Sequence, residues 1–131
     1  MNEGALRVTL WVVAAIQLGL GLLGLLAPGT FFDEIGTYAP QNDHYIGDLG
    51  AYNVAAGFGV AMAAMRPEWR VPILVVGAVL NGLHAVNHLF DIGEASSDAK
   101  GVFDTIALAL LAAGSVYLAR VSSRLRRQDP T

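Results

Sequence analysis

The stretch VTLWVVAAIQLGLGLLGLLAPGTFF, Val8 to Phe32, carries no charged residue over 25 positions. About 20 consecutive apolar residues suffice for a helix to cross the hydrocarbon of a bilayer. The run therefore predicts a membrane-spanning helix over residues 6–27, ended by Pro28 and Gly29. Met1 to Arg7 imitates the start of a secretory signal. However, the run is long for a signal core, and Leu25-Leu26-Ala27-Pro28 lacks an Ala-x-Ala cleavage site, so the helix is read as retained.

Working outward, three more runs follow. Leu49 to Met65 is uncharged but weakly apolar, being rich in alanine and glycine. Val71 to Phe90 is free of charge apart from its histidines, and Thr105 to Ala119 is uncharged. These predict spans over 46–65, 71–90 and 102–119, the second capped by Asn42 or Asp43 and the last including Asp104. Arg66 to Arg70 reads as a short polar turn, Thr30 to Ile35 as an interfacial helix capped by Thr30, and residues 122–131 as a basic tail. The fold class is all-α: a single domain, an integral membrane four-helix transmembrane bundle. Composition agrees. Of 131 residues, 54% are hydrophobic and 15% charged, against about 25% charged in soluble domains.

Charge sorting sets the orientation. All seven arginines (Arg7, Arg66, Arg70, Arg120, Arg124, Arg126 and Arg127) fall at the N-terminus, in the second connection or at the C-terminal end. Four alternating spans put those places on one side. The other connections hold Asp33, Glu34, Asp43, Asp48, Asp91, Glu94, Asp98 and Asp104, with Lys100 as their only base. Basic residues stay on the cytoplasmic side, so both termini are expected inside. Trp11, Trp69 and Tyr117 near one interface, and Phe31, Phe32, Tyr38 and Tyr45 near the other, form aromatic belts. No basic patch of the kind nucleic acid needs is present, and the absence of cysteine excludes disulfides and thiolate metal sites.

The third span carries the chemistry. Asn81, His84, His88 and Asp91 recur at i, i+3, i+7 and i+10, an arc of about 80° on one helix face. Polar groups in a membrane turn toward the bundle interior or a wet cavity. At similar depth the second span offers His44, Asp48 and Tyr52, and the fourth offers Asp104 and Thr105. Gln17 lies deeper on the first. An outward-facing His/Asp pocket follows. One reading is a divalent metal site: His84 and His88 as ligands, completed by His44 with Asp48, Asp91 or Asp104, suit Zn, Fe, Mn or Cu. A second is a ligand pocket lined by Asn81, Tyr52, Asp104 and Gln17, holding a small amphiphile, a quinone or a lipid headgroup. A third is structural: the same groups hydrogen-bond the helices together at about 0.6 kcal/mol each, in an accessory subunit of a larger membrane complex or a homo-oligomer. With three histidines and no Glu-x-x-His pair, histidine-box and diiron carboxylate enzymes are disfavoured, and the sequence names no reaction.

Gly19 to Gly24 matches the dinucleotide fingerprint by letter, but it sits mid-span with no preceding strand. Small residues there, and at Ala51, Ala55 and Gly59 or Ala78 and Gly82, instead let helices approach closely. The arginines after the fourth span are the topology signal, with anionic lipid as a compatible partner.

Residues Leu18 to Phe32, a glycine-rich span ending at a proline and followed by aromatics, resemble the opening of DoxX-like small four-helix membrane proteins. Gly47 to Gly57 resembles the polar-entry, small-residue second span of that group. The likeness covers the first half of the chain. It implies four spans in a bacterial cytoplasmic membrane, with some relatives acting beside redox enzymes or in stress responses, and it carries over no catalytic residue.

Overall fold

A computed structural model describes residues 1–128. The described residues fold into α1 (Glu3–Leu26), α2 (Pro28–Glu34), α3 (Asp43–Met65), α4 (Pro67–Phe90), a 3-10 turn (Ile92–Glu94) and α5 (Asp98–Gln128). α1, α4 and α5 are each long and apolar enough to cross a membrane. α3 is long enough, at 23 residues, but its alanine, glycine and polar side chains leave it outside that group.

Local chemistry explains the boundaries. Asn2 caps α1, its side chain accepting from the Ala5 N–H at 2.8 Å. Pro28 cannot continue α1 because its nitrogen carries no hydrogen, so it opens α2 at the first position instead. Thr30 therefore lies inside α2 rather than capping it, and Ala27 takes the cap position without a side-chain bond. Asn42 caps α3 through the Tyr45 N–H at 3.2 Å. Pro67 opens α4 the same way, so most of the expected polar turn at 66–70 is helical.

The largest departure is α5. Instead of ending near residue 119, it runs through Gln128. Leu118, Val121, Ser122 and Leu125 recur at i, i+3, i+4 and i+7, and this stripe packs into the core with Leu6, Leu10 and Leu74. Burial of that face extends the helix through what reads in sequence as a basic tail, of which residues 129–131 lie outside the described part.

The helices alternate in direction. The start of α1, the end of α3, the start of α4 and the end of α5 meet at one pole, which carries the arginines. The main buried core (Leu6, Leu10, Ala14, Val60, Ala64, Leu74, Leu118, Ala119 and Val121) occupies this arginine half. At the pole itself Arg70, only 4% exposed, donates to both Glu3 carboxylate oxygens at 2.9 and 2.6 Å and to the Ala63 carbonyl at 3.1 Å. One guanidinium thereby joins α1, α3 and α4.

Toward the acidic pole, α1 and α3 meet through glycines. A Cβ at Gly50 would stand 2.8 Å from the Gly21 carbonyl oxygen and 2.9 Å from the Leu25 nitrogen, and one at Gly57 2.9 Å from the Leu18 nitrogen. The close-approach face of α3 is thus Gly50 and Gly57. Ala51 and Ala55, expected to serve there, are exposed.

The outward surface is apolar. Only 22%, 17% and 11% of the apolar windows of α1, α4 and α5 are buried within the molecule. Leu26, Leu83, Phe90 and Leu110 stand at 79%, 67%, 82% and 67% exposure. Monomeric soluble proteins rarely leave so continuous an apolar surface in water.

Candidate functional site

At the acidic pole, two connections that are far apart in sequence are tied together. Tyr38 and Ala95 form an antiparallel bridge. The Ser96 N–H donates to the Thr37 carbonyl at 3.0 Å, and the Thr37 and Ser96 hydroxyls lie 2.9 Å apart. Gly101 seats the start of α5 under the 3-10 turn, where a Cβ would meet the Ile92 carbonyl at 2.5 Å. This lacing carries Tyr38 over the end of α4.

A chain of polar contacts results. Lys100 Nζ donates to Asp104 Oδ1 at 2.6 Å and to the Ile35 carbonyl at 2.9 Å. Tyr38 Oη lies 3.3 Å from Asp104 Oδ2 and 2.6 Å from His88 Nδ1. His88 Nε2 lies 3.0 Å from His84 Nε2. Five side chains on three segments thus run from the surface, where Lys100 sits, down to His84 within α4.

Donor counting orders the protons along this chain. A neutral imidazole has one N–H and one bare nitrogen, and a phenol has one O–H. If Tyr38 donates to His88, both oxygens of the Tyr38–Asp104 contact are acceptors and that contact is empty. If Tyr38 donates to Asp104, His88 Nδ1–H donates to Tyr38, and His84 Nε2–H donates to His88, every link is filled. The second arrangement leaves His84 Nδ1 as a bare acceptor at the inner end. Tyr38, in its loop, is pushed up to about 12 by burial and by the negative charge of Asp104, so its phenol keeps its proton at neutral pH.

The structure brings two of the four residues of the helical stripe into contact. His84 and His88 touch, their ring centroids 4.7 Å apart. Asn81 turns back on its own helix, donating to the Gly77 carbonyl at 2.8 Å. Asp91 accepts from Asn87 at 3.0 Å, beside the chain rather than in it. Asp104 joins the site through Tyr38 and Lys100. His44 and Asp48 pair with each other at 3.7 Å, with side chains 80% and 57% exposed, and Tyr52 is 68% exposed. The glycine seam explains their separation: at 100° per residue, His44, Asp48 and Tyr52 lie roughly 170° around α3 from Gly50 and Gly57. Packing the glycines on α1 turns these three outward. Gln17 is half-buried on α1 and makes no side-chain hydrogen bond among the described residues. Among the described residues no three histidine, aspartate or glutamate side chains converge as a metal ion requires.

Two members of the chain escape a reading of the sequence for sites. Lys100 carries a signal, as the only base on the acidic side, four residues before Asp104 on one helix. Tyr38 carries none beyond its aromatic ring, since the loop bridge alone brings it to His88. No family model, curated protein or solved structure matches the chain.

Proposed function

We propose that the protein is a four-helix transmembrane bundle of the cytoplasmic membrane, both termini inside. Its outer end binds a small amphiphilic ligand whose hydroxyl hydrogen-bonds to His84. The observation that carries this reading is the unbroken chain from Lys100 through Asp104, Tyr38 and His88 to His84. Polar groups of this kind are costly in a span unless they serve a partner or a wet cavity. A purely structural set of contacts need not end on a bare acceptor. The membrane reading is supported by three apolar helices, their exposed surfaces and the arginine sorting. The resemblance to DoxX-like proteins points the same way.

A ligand with a hydroxyl head and an apolar tail, of the quinol class, matches both the acceptor and the apolar surroundings. A proton passed to His84 Nδ1 would move the existing His84 Nε2 proton to His88. The His88 Nδ1 proton would then pass to Tyr38, and the Tyr38 proton to Asp104. One proton enters at His84, one arrives at Asp104, and no charge stays in the middle. The divalent-metal reading rests on His84 and His88 alone.

Purified protein in detergent, titrated with a decyl-tailed benzoquinol, is expected to bind it, and His84→Leu is expected to weaken binding at least tenfold with unchanged helix content. Equal binding by His84→Leu refutes the site. Stoichiometric metal by elemental analysis, lost in His84→Ala/His88→Ala, would favour the metal reading. Neither ligand nor metal would favour an accessory subunit. Orientation is tested separately: a tag after Thr131 is expected to resist an external protease in intact cells.

A further inference from the structure

The arginine pole has two grooves, one charge-balanced and one basic. One is lined by Glu3 and Glu68 together with Arg70 and Arg126, so its charges are balanced from within. The other, of about 570 Å³, lies between α4 and α5 and is lined by Val75, Val79, Val116, Arg120, Arg124 and Arg127, with no acid on its walls among the described residues.

Arg120, Arg124 and Arg127 are spaced i, i+4 and i+7, which places them within about 60° on one face of α5. Arg126 points elsewhere, toward the balanced groove. Among the described residues, Arg66 pairs with Glu68 at 4.0 Å and Arg70 with Glu3 at 2.6 Å, while none of the three groove arginines makes an ion pair. The stripe continues into Val116, 40% exposed, and across to Val75 and Val79, 51% and 57% exposed. The site is thus bipartite: three neighbouring guanidinium groups at the pole, and an apolar floor rising from them along two helices apolar enough to span a membrane. Holding back arginines for orientation requires only that they be on this side. It does not require that three share one face above an apolar groove, with no ion pair among the described residues.

We propose that the α4–α5 groove holds an anionic phospholipid of the inner leaflet. Its phosphate lies against Arg120, Arg124 and Arg127, and an acyl chain lies along Val75, Val79 and Val116. Guanidinium matches phosphate through paired, charge-assisted hydrogen bonds, and long arginine side chains reach the interface from within a span. Basic pockets between helices at the cytoplasmic face are of the kind that recognises anionic headgroups. The inference rests on the membrane reading but not on the ligand at His84.

The test uses the full chain reconstituted in phosphatidylcholine vesicles with spin-labelled phosphatidylglycerol or phosphatidylcholine. Resistance of the protein to carbonate extraction is checked first; extraction would refute the membrane reading itself. The immobilised lipid fraction is expected to favour phosphatidylglycerol. Each arginine that reaches the phosphate is expected to contribute about fivefold, on the order of a hundredfold for three. Arg120→Gln/Arg124→Gln/Arg127→Gln is expected to remove the preference, and Arg7→Gln/Arg66→Gln to keep it. Should the triple variant not fold, Val79→Trp, which fills the floor and keeps every charge, is expected to lower lipid immobilisation. The proposal is overturned if the control pair lowers the preference as much as the triple variant, if both Val79→Trp and the triple variant behave as wild type, or if millimolar inorganic phosphate displaces the lipid completely.

Discussion

Replacing Gly50 by alanine puts a methyl group where the structure has room for none. The new Cβ would stand 2.8 Å from the Gly21 carbonyl oxygen, 2.9 Å from the Leu25 nitrogen and 3.1 Å from the Gly24 carbonyl carbon, all main-chain atoms that no rotamer change can move. Ordinary contact begins at 3.4 Å, so α1 and α3 must part by at least 3.4 − 2.8 = 0.6 Å. A gap of about that size forfeits roughly a quarter to a half of each van der Waals contact along the seam. Overpacking of this kind costs about 1–3 kcal/mol. Against it, alanine is favoured over glycine within a helix by about 0.8–1.0 kcal/mol. Gly47, on the same helix, supplies the control, because a Cβ there would meet nothing within 4 Å. Gly47→Ala is therefore expected to be neutral or stabilised by up to about 1 kcal/mol, and Gly50→Ala to fall about 1–3 kcal/mol below it. Reversible unfolding in mixed micelles, followed by far-UV circular dichroism and the fluorescence of Trp11 and Trp69, measures the difference. Equal stability of the two variants would refute the glycine seam, and with it the rotation of α3 that turns His44 and Asp48 away from the histidine pair.

Two further perturbations test the poles. Glu3, just before the charge-free run, has its carboxyl held below the ordinary value by its hydrogen bonds to Arg70. A depressed acid contributes stability above its unfolded pKa and loses it as pH falls through the folded one. Wild type is thus expected to lose stability below about pH 4.5, and Glu3→Gln to lack that loss and to be about 1–2 kcal/mol less stable at pH 7, a charged hydrogen bond discounted for solvent. A pH-independent difference in unfolding midpoint would contradict the clamp. At the other pole, the Tyr38 phenol is raised to about 12, so its contribution is complete below pH 10 and is lost as pH rises through about 12. The ultraviolet difference between wild type and Tyr38→Phe is expected to show one phenolate appearing only near pH 12, above the ordinary value of about 10. Its appearance near pH 10 would mean that Tyr38 does not sit beside Asp104.

Much of the helical layout is written locally and can be read without a structure. Charge-free length sets the apolar helices, Pro28 ends α1, and Asn42 caps α3 where its side chain can accept a backbone N–H, whereas the opening of α2 at Pro28 and of α4 at Pro67 departs from the expected Thr30 cap and the expected polar turn at 66–70. The His84–His88 contact was legible for the same reason, since the helical repeat places residues four apart side by side. The extension of α5 was partly legible: the stripe Leu118, Val121, Ser122 and Leu125 has helical spacing, but the intervening arginines mask it until the core against Leu6 and Leu10 is seen.

What the sequence determined on its own is the set of helices and the sorting of their charges, because these depend on each residue's neighbours along the chain and on its cost in an apolar medium. Tertiary structure decided which faces meet. α3 carries small residues on more than one face, and only close packing of backbone on backbone chose Gly50 and Gly57 over Ala51 and Ala55. That choice turned one histidine–aspartate pair outward, while the bridged loops brought Tyr38 to His88 across 50 positions and Arg70 met Glu3 across 67. Such pairings arise from the simultaneous fit of several helices, a property that no single stretch of sequence contains.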